Sequence, residues 1–268
     1  MTLCLCGILE VTDFQNIKLA IEDRVARITF ARPPLNIFNI AMMREIGDAL
    51  NECAKHNDLV AIVFDASEGS RAFSAGVAVE EHVPETVVEM LDSFHEIFRR
   101  LNQISRPAIA VVDGAALGGG CELVAACDLV IASDSAKFGQ PEIKLGVFPP
   151  VAAILLPRII GEKKAREMIL LGEVIDAAEA RRCGLVNHVV PATEMPARLA
   201  IILTKLRELS PSSLALTRRA IEIAGGAKFS HSLEQVENLY LQELMKTEDA
   251  TEGLRSFMEK RKPEWRNR

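Results

Sequence analysis

The sequence predicts an α/β fold, a spiral of β-β-α units followed by a helical C-terminal region. Three features point to it. Short apolar runs rich in β-formers recur at 25–32, 59–66, 108–114 and 127–133. Segments with apolar residues at helical spacing lie between them. From about Met195 onward only the helical pattern continues. The expected division is a β/α core over 1–200 and a helical region over 201–268.

The elements follow in order. "VARITFAR" (25–32) alternates apolar and polar residues, as a half-buried strand does. "PPLNIFNI" follows as a turn or loop. In "AMMREIGDALNECAKH", Met42, Ile46, Ala49, Leu50 and Cys53 share one helical face. "LVAIVFDA" (59–66) is almost wholly apolar, the pattern of a strand buried on both faces. "SEGSRAFSAGVAVEEHVP" reads as a loop. Residues 86–102 then form a helix with the stripe Val87, Met90, Leu91, Phe94, Phe98 and Leu101. "AIAVVDG" and "CDLVIAS" are further buried strands. "GEKKAREMILLG" is helical, and "DAAEARRCGLVNHVVP" reads as helix, glycine stop, strand. The final helical stretch breaks near Ser210 and Pro211 and near Gly225 and Gly226.

Composition narrows the classes. The chain has 268 residues, 49% of them hydrophobic, enough for a substantial core. A net charge of -6 argues against a nucleic-acid binder, which carries a basic excess. The basic tail "KRKPEWR" reads as a solvated terminus. Six cysteines form neither a CxxC pair nor a Cys/His cluster with zinc spacing, so free thiols and no metal are expected. No apolar run approaches the roughly 20 residues of a membrane span. A cytoplasmic protein without a membrane or nucleic-acid partner is the expectation.

Gly118, Gly119 and Gly120 lie between two buried segments and are followed by a single carboxylate, Glu122. Glycines that merely permit a turn suit an exposed loop, but buried main-chain groups must find partners. A dinucleotide-binding turn fails at Leu123, where a third Gly or Ala belongs. The remaining reading is an oxyanion hole. A helix starting at a glycine turn aims free N–H groups outward. Such donors stabilise a carbonyl oxygen as it becomes negative, by about 3 kcal/mol each.

At larger scale, "AALGGGCELVAACDLVIASDSAKFGQPEIKLGVFP", "RAFSAG", "EARRCGLVNHVV" and "EGLRSFMEKRKPEW" resemble the enoyl-CoA hydratase/isomerase (crotonase) family, over nearly the whole chain. The resemblance implies the crotonase-type spiral and an acyl-CoA thioester substrate. It implies no metal and no cofactor beyond the CoA that the substrate carries. Residues 201–268 become an oligomerisation region, giving a homotrimer or a dimer of trimers. The backbone N–H groups of Val77 and Gly119 become the oxyanion hole. Ala75 and Gly76 resemble the segment that contacts the CoA adenine, and Lys260 falls near the CoA phosphates of a neighbouring subunit.

Glu122 and Glu142 match the two carboxylates that hydratases of this family use. One takes a proton from water and the other supplies one to carbon. Two carboxylates close together in an apolar site push their pKa values apart. Which is acid and which is base stays open. Pro141 biases Gln140 away from helix, so Glu142 is expected on an extended turn.

The chain also departs from the family pattern. Ala78 stands where an Asp is usual, which weakens an isomerase reading. Glu80 and Glu81, the charged pair before His82, read as a solvated face. Pro150 replaces a glycine whose N–H helps hold the attacking water, and proline has none; Val151 adds volume to the pocket. "VEEHVPE", "GQPEIKLGVFPP" and "LYLQELMKTEDATEGL" resemble a narrower group, the cyclohexa-1,5-diene-1-carbonyl-CoA hydratases of anaerobic aromatic degradation. The expected reaction is hydration of an α,β-unsaturated acyl-CoA, with the cyclic dienoyl thioester favoured. A general hydratase of linear enoyl-CoA, an isomerase and a non-catalytic acyl-CoA binder are the alternatives.

Overall fold

The structure is a computed structural model and describes residues 10–224 and 229–264. Its elements in chain order are β1 (Glu10–Asp13), β2 (Ile17–Glu22), β3 (Val25–Phe30), α1 (Ile40–Ala54), β4 (Ala61–Ala66), β5 (Ala72–Ser74), α2 (Val87–Ile104), β6 (Ala108–Val112), β7 (Ala115–Leu117), α3 (Gly119–Ala126), β8 (Leu129–Ser133), β9 (Lys137–Gly139), α4 (Pro150–Ile160), α5 (Glu162–Leu171), β10 (Val174–Asp176), α6 (Ala177–Cys183), β11 (His188–Val190), α7 (Met195–Arg207), α8 (Pro211–Ala224), α9 (Phe229–Gln242) and α10 (Glu248–Met258). Short 3-10 helices at Val79–Glu81 and Pro141–Leu145 flank the site.

Two sheets carry the spiral. The larger has the order β1-β2-β3-β4-β6-β8-β11, and the smaller β10-β9-β7-β5. Successive strands alternate between them: β4 joins the large sheet and β5 the small one, then β6 and β7, then β8 and β9. Pairing is parallel from β3 through β4, β6 and β8 to β11. It is antiparallel only at β1-β2-β3 and at β9-β10.

The continuous apolar runs follow from burial on both faces of the large sheet. In β4, Ile62 and Phe64 face the main core with α1 and α2, while Ala61 and Val63 face a second core against α7. In β6 and β8 the split repeats, with Ile109 and Ile131 meeting Met195, Leu199 and Leu203 of α7. Side chains alternate at period two, so every residue of such a strand must be apolar.

Helix starts agree with local chemistry. Asn39 accepts from the Met42 amide at 3.0 Å to open α1, and Asp176 accepts from Glu179 at 2.8 Å to open α6. Gly184, left-handed at φ 93°, stops α6 as the glycine pattern predicts.

Several segments differ from expectation. The "loop" after β4 contains β5 and a helical turn, because a three-residue strand is too short to show a period. Helix α4 begins on Pro150 and continues through Pro157. Proline at the first helical position loses no bond, and the segment's apolar burial holds the rest. The break near Gly225 and Gly226 lies outside the described residues. Among the described residues Cys53, Cys121, Cys127 and Cys183 are free thiols, and no helix is long and apolar enough to cross a membrane.

Candidate active site

Three adjacent parallel strands of the small sheet, β5, β7 and β9, each end at a group expected to do chemistry. β5 runs out into Ala75, Gly76 and Val77; β7 into the glycine triplet; β9 into Gln140, Pro141 and Glu142. Their carboxyl ends open on one cavity of about 380 Å³. Ala75, Gly76, Val77, Gly119, Glu122, Glu142 and Pro150 all line it.

Phe38 lies parallel to the segment after β5. Its amide donates to the Gly76 carbonyl and its carbonyl accepts from the Ala78 amide, both at 2.9 Å. A parallel bridge uses the groups on either side of Val77, so the Val77 N–H points away from Phe38. Gly119 is the first residue of α3, where an amide has no carbonyl one turn back. The two segments touch closely. A Cβ on Gly76 would lie 3.6 Å from the Gly119 nitrogen, and one on Gly119 would lie 2.8 Å from Val77 Cγ2.

The first glycine of the triplet has a second reason. Gly118 adopts φ 50°, ψ -126°, which a side chain rarely permits, and a Cβ there would lie 2.7 Å from Glu142 Oε1. Its amide donates to the Gly139 carbonyl at 2.9 Å, tying the turn to β9.

The two carboxylates are held differently. Glu122 is 2% exposed, in the first turn of α3. Its Oε1 accepts from the Ala152 amide at 2.8 Å, and the Val151 amide assists. The N-terminus of α4 therefore points at Glu122, favouring negative charge there. Burial nevertheless raises its pKa to about 7. Glu142 sits on the Pro141–Leu145 helical turn, not an extended one, because proline also starts helices well. Burial, and then the negative charge of Glu122, push its pKa well up. The buried Gln140 amide lies 3.1 and 3.2 Å from its two oxygens. An amide can donate to a carboxylate or accept from a carboxylic acid, so it serves either state.

Other residues stand where the sequence did not put them. Val151 does not wall the cavity; its side chain is in the core and its amide serves Glu122. Lys260, expected at the CoA of a neighbouring subunit rather than in its own chain's cavity, is exposed beyond α10. Glu81 is not a solvated acid, since its Oε2 accepts from the first amide of α1, at Ile40, over 2.8 Å. His82, the next residue, is buried. It lines the cavity, and its Nδ1 donates to the Ala78 carbonyl at 2.9 Å. Burial pushes its pKa down.

Sequence reasoning also missed the cavity's aromatic wall. Phe94, Phe148, Tyr240 and Phe257 come from four separate segments, and helical spacing accounts for Phe94 as core alone. The signal for α4 as a cap on Glu122 was present in the proline at its start. Among the described residues, no His/Cys/Asp/Glu group could hold a metal ion.

Residues 20–268 match the sequence profile of a family described as enoyl-CoA hydratase/isomerase. The chain is 40% identical over 247 residues to a cyclohexa-1,5-dienecarbonyl-CoA hydratase of Thauera aromatica, covering 92% of this chain and 95% of that one. It is 38% identical over 258 residues to a probable enoyl-CoA hydratase of Mycobacterium bovis, covering 95% and 99%. The crystal structure of an enoyl-CoA hydratase from Mycobacterium avium subsp. paratuberculosis superposes with a TM-score of 0.84 at 28% identity, covering 95% of this chain and 100% of that one.

Proposed function

Since the chain belongs to the enoyl-CoA hydratase/isomerase family, we propose that it is a hydro-lyase adding water to an α,β-unsaturated acyl-CoA, with a cyclic dienoyl thioester as its preferred substrate. The observation that carries the reading is a buried and a half-buried carboxylate and two free main-chain amides on one cavity.

The thioester carbonyl oxygen accepts from the Val77 and Gly119 amides. Glu122, kept charged by the helix end behind it, takes a proton from water. The water oxygen bonds to the β-carbon, and the C=C electron pair moves onto the thioester oxygen as an enolate. The two amides stabilise that charge. Glu142, protonated because burial and Glu122 oppose its charge, gives its proton to carbon as the enolate collapses. In a linear enoyl thioester that carbon is the α-carbon. In a conjugated cyclic diene it is the far end of the diene. The carboxylates end with their protons exchanged, and solvent restores them.

The cyclic substrate is supported by the 40% identity to a hydratase so named and by the aromatic wall of Phe94, Phe148, Tyr240 and Phe257. General activity on linear enoyl-CoA is the second reading, favoured by the similarly close enoyl-CoA hydratases. Ala78, buried and without a carboxylate, counts against an isomerase. A pure binder has no use for two carboxylates that burial destabilises.

As arrangements beyond the single chain, the trimer or dimer of trimers built on 201–268, and Lys260 reaching a neighbour's CoA phosphates, are part of the same proposal. So are the CoA adenine contacts at Ala75 and Gly76, and the need for no cofactor. The test presents crotonyl-CoA and cyclohexa-1,5-diene-1-carbonyl-CoA separately in oxygen-18 water. One labelled oxygen should enter each product, with kcat/KM at least about tenfold higher for the ring. Unlabelled product with a migrated double bond would replace hydration by isomerisation. No reaction with either would remove the activity.

A further inference from the structure

The chain has one tyrosine, Tyr240, and it is 1% exposed. A buried phenol needs a partner for its hydroxyl, whereas phenylalanine would fill the same space without one. Tyr240 comes from α9, packs edge-on against Phe148 with ring centroids 5.2 Å apart, and lines the cavity that holds both carboxylates. Its hydroxyl makes no hydrogen bond with the described protein groups, and although the side chain packs in the core it also lines the cavity. Burial first, and then the charges of Glu142 and Glu122, push its pKa up, which keeps it a donor.

The reacting water donates one proton to Glu122 and the other to the unprotonated oxygen of Glu142, whose own proton faces the carbon it will protonate. A third group must donate to the water oxygen to fix where the lone pair points. The nearest main-chain candidates are the first amides of α4, and they are taken or missing. Val151 and Ala152 serve Glu122, Ala153 donates to the Pro149 carbonyl at 3.0 Å, and Pro150, which lines the cavity, has no N–H. His82 has its ring proton committed to Ala78. Among the described residues no serine or threonine lines the cavity, which leaves the phenol as its one hydroxyl; the other lining side chain with a free donor, Lys144, is an exposed ammonium.

We propose that Tyr240 positions the reacting water against Glu122 and Glu142, donating the hydrogen bond that Pro150 lacks the amide to make. The proposal rests on the hydratase reading and adds the group that orients its nucleophile. No bond to Tyr240 forms or breaks, and its proton stays on the phenol.

The test compares wild type, Tyr240→Phe, Pro150→Gly and the double variant. It reads hydration of crotonyl-CoA and the dissociation constant of butyryl-CoA, a saturated thioester that cannot react. Tyr240→Phe should lower kcat by about ten- to a hundredfold and leave butyryl-CoA affinity within about twofold. Pro150→Gly restores a main-chain N–H and should recover a large part of the kcat lost in Tyr240→Phe, which a merely structural tyrosine would not allow. An unchanged kcat in Tyr240→Phe overturns the proposal. An equal loss of butyryl-CoA affinity also overturns it, because the phenol would then be touching the acyl group. Absence of rescue by Pro150→Gly overturns it too. A wild type that hydrates no enoyl-CoA refutes the hydratase reading itself, while a hydrating wild type matched by Tyr240→Phe refutes only the role of Tyr240.

Discussion

The Ala152 amide, in the first turn of one helix, donates to the Glu122 carboxylate, in the first turn of another, over 2.8 Å. The N-terminus of α4 is thus spent on a side chain of α3 rather than on a ligand. This single contact separates two carboxylates that the sequence leaves equivalent. Glu122 has donors that favour its charge, and Glu142 has a negative neighbour that opposes it.

Removing either acid should therefore stop chemistry and spare binding. Glu122→Gln and Glu142→Gln should each lower kcat by about 10²–10⁴-fold with butyryl-CoA affinity nearly unchanged. Steady-state rates and calorimetric titration check this. Two variants with wild-type turnover would discard the acid and base roles.

The pH dependence follows from the same pair. Turnover needs Glu122 charged and Glu142 protonated, so kcat/KM should be bell-shaped. Its acid limb should lie near the value of about 7 for Glu122, with both limbs belonging to the coupled pair. Stability has a definite sign. Both folded-state values are raised, so native protein holds more protons than unfolded chain above the ordinary glutamate range of about pH 4. Their stabilising contribution is complete below that range and is lost as pH climbs through the folded values. Glu142→Gln removes one of these titrating groups. Its melting temperature should exceed that of wild type, by a margin that widens from about pH 5 to about pH 8. A margin that narrows over that interval would contradict the raised values.

Gly118→Ala joins two faults. The residue sits at φ 50°, and the new Cβ would lie 2.7 Å from Glu142 Oε1. Turnover should fall at least about a hundredfold, and stability by about 1–2 kcal/mol. Denaturant melts and rates on the same sample measure both.

Gly119→Ala is a milder and more informative change. Its Cβ would meet Val77 Cγ2 at 2.8 Å and Phe94 Cζ at 2.9 Å, with no backbone strain because its φ is not positive. Val77→Ala alone keeps the N–H and should hold kcat within about threefold. In the double variant, Val77→Ala should recover part of what Gly119→Ala loses, since it removes one of the two clashes. No recovery would mean that Phe94 alone sets the fit.

Gly253 ties the C-terminal helices to the chemistry. A Cβ there would run into the Leu145 carbonyl, at the end of the turn that carries Glu142. Gly253→Ala should displace α10 from that turn and lower kcat more than about tenfold. An active Gly253→Ala enzyme would show that α10 is not needed to hold Glu142.

The sequence alone determined what depends on neighbours along the chain. Apolar runs such as 59–66 predict strands buried on both faces, because period two leaves no face for polar residues. The triplet at Gly118 predicts a close approach, because glycine is needed only where a Cβ cannot fit. Glu122 and Glu142 were legible as a pair through their motifs. Tertiary structure alone decided which atoms meet. It brought the Val77 segment beside Gly119, α4 onto Glu122, and Tyr240 and Phe257 into the cavity from the far C-terminal helices. It also decided how the two acids differ, since their pKa values depend on burial and on partners distant in sequence. Periodicity records which side of an element is buried, but not what packs against it.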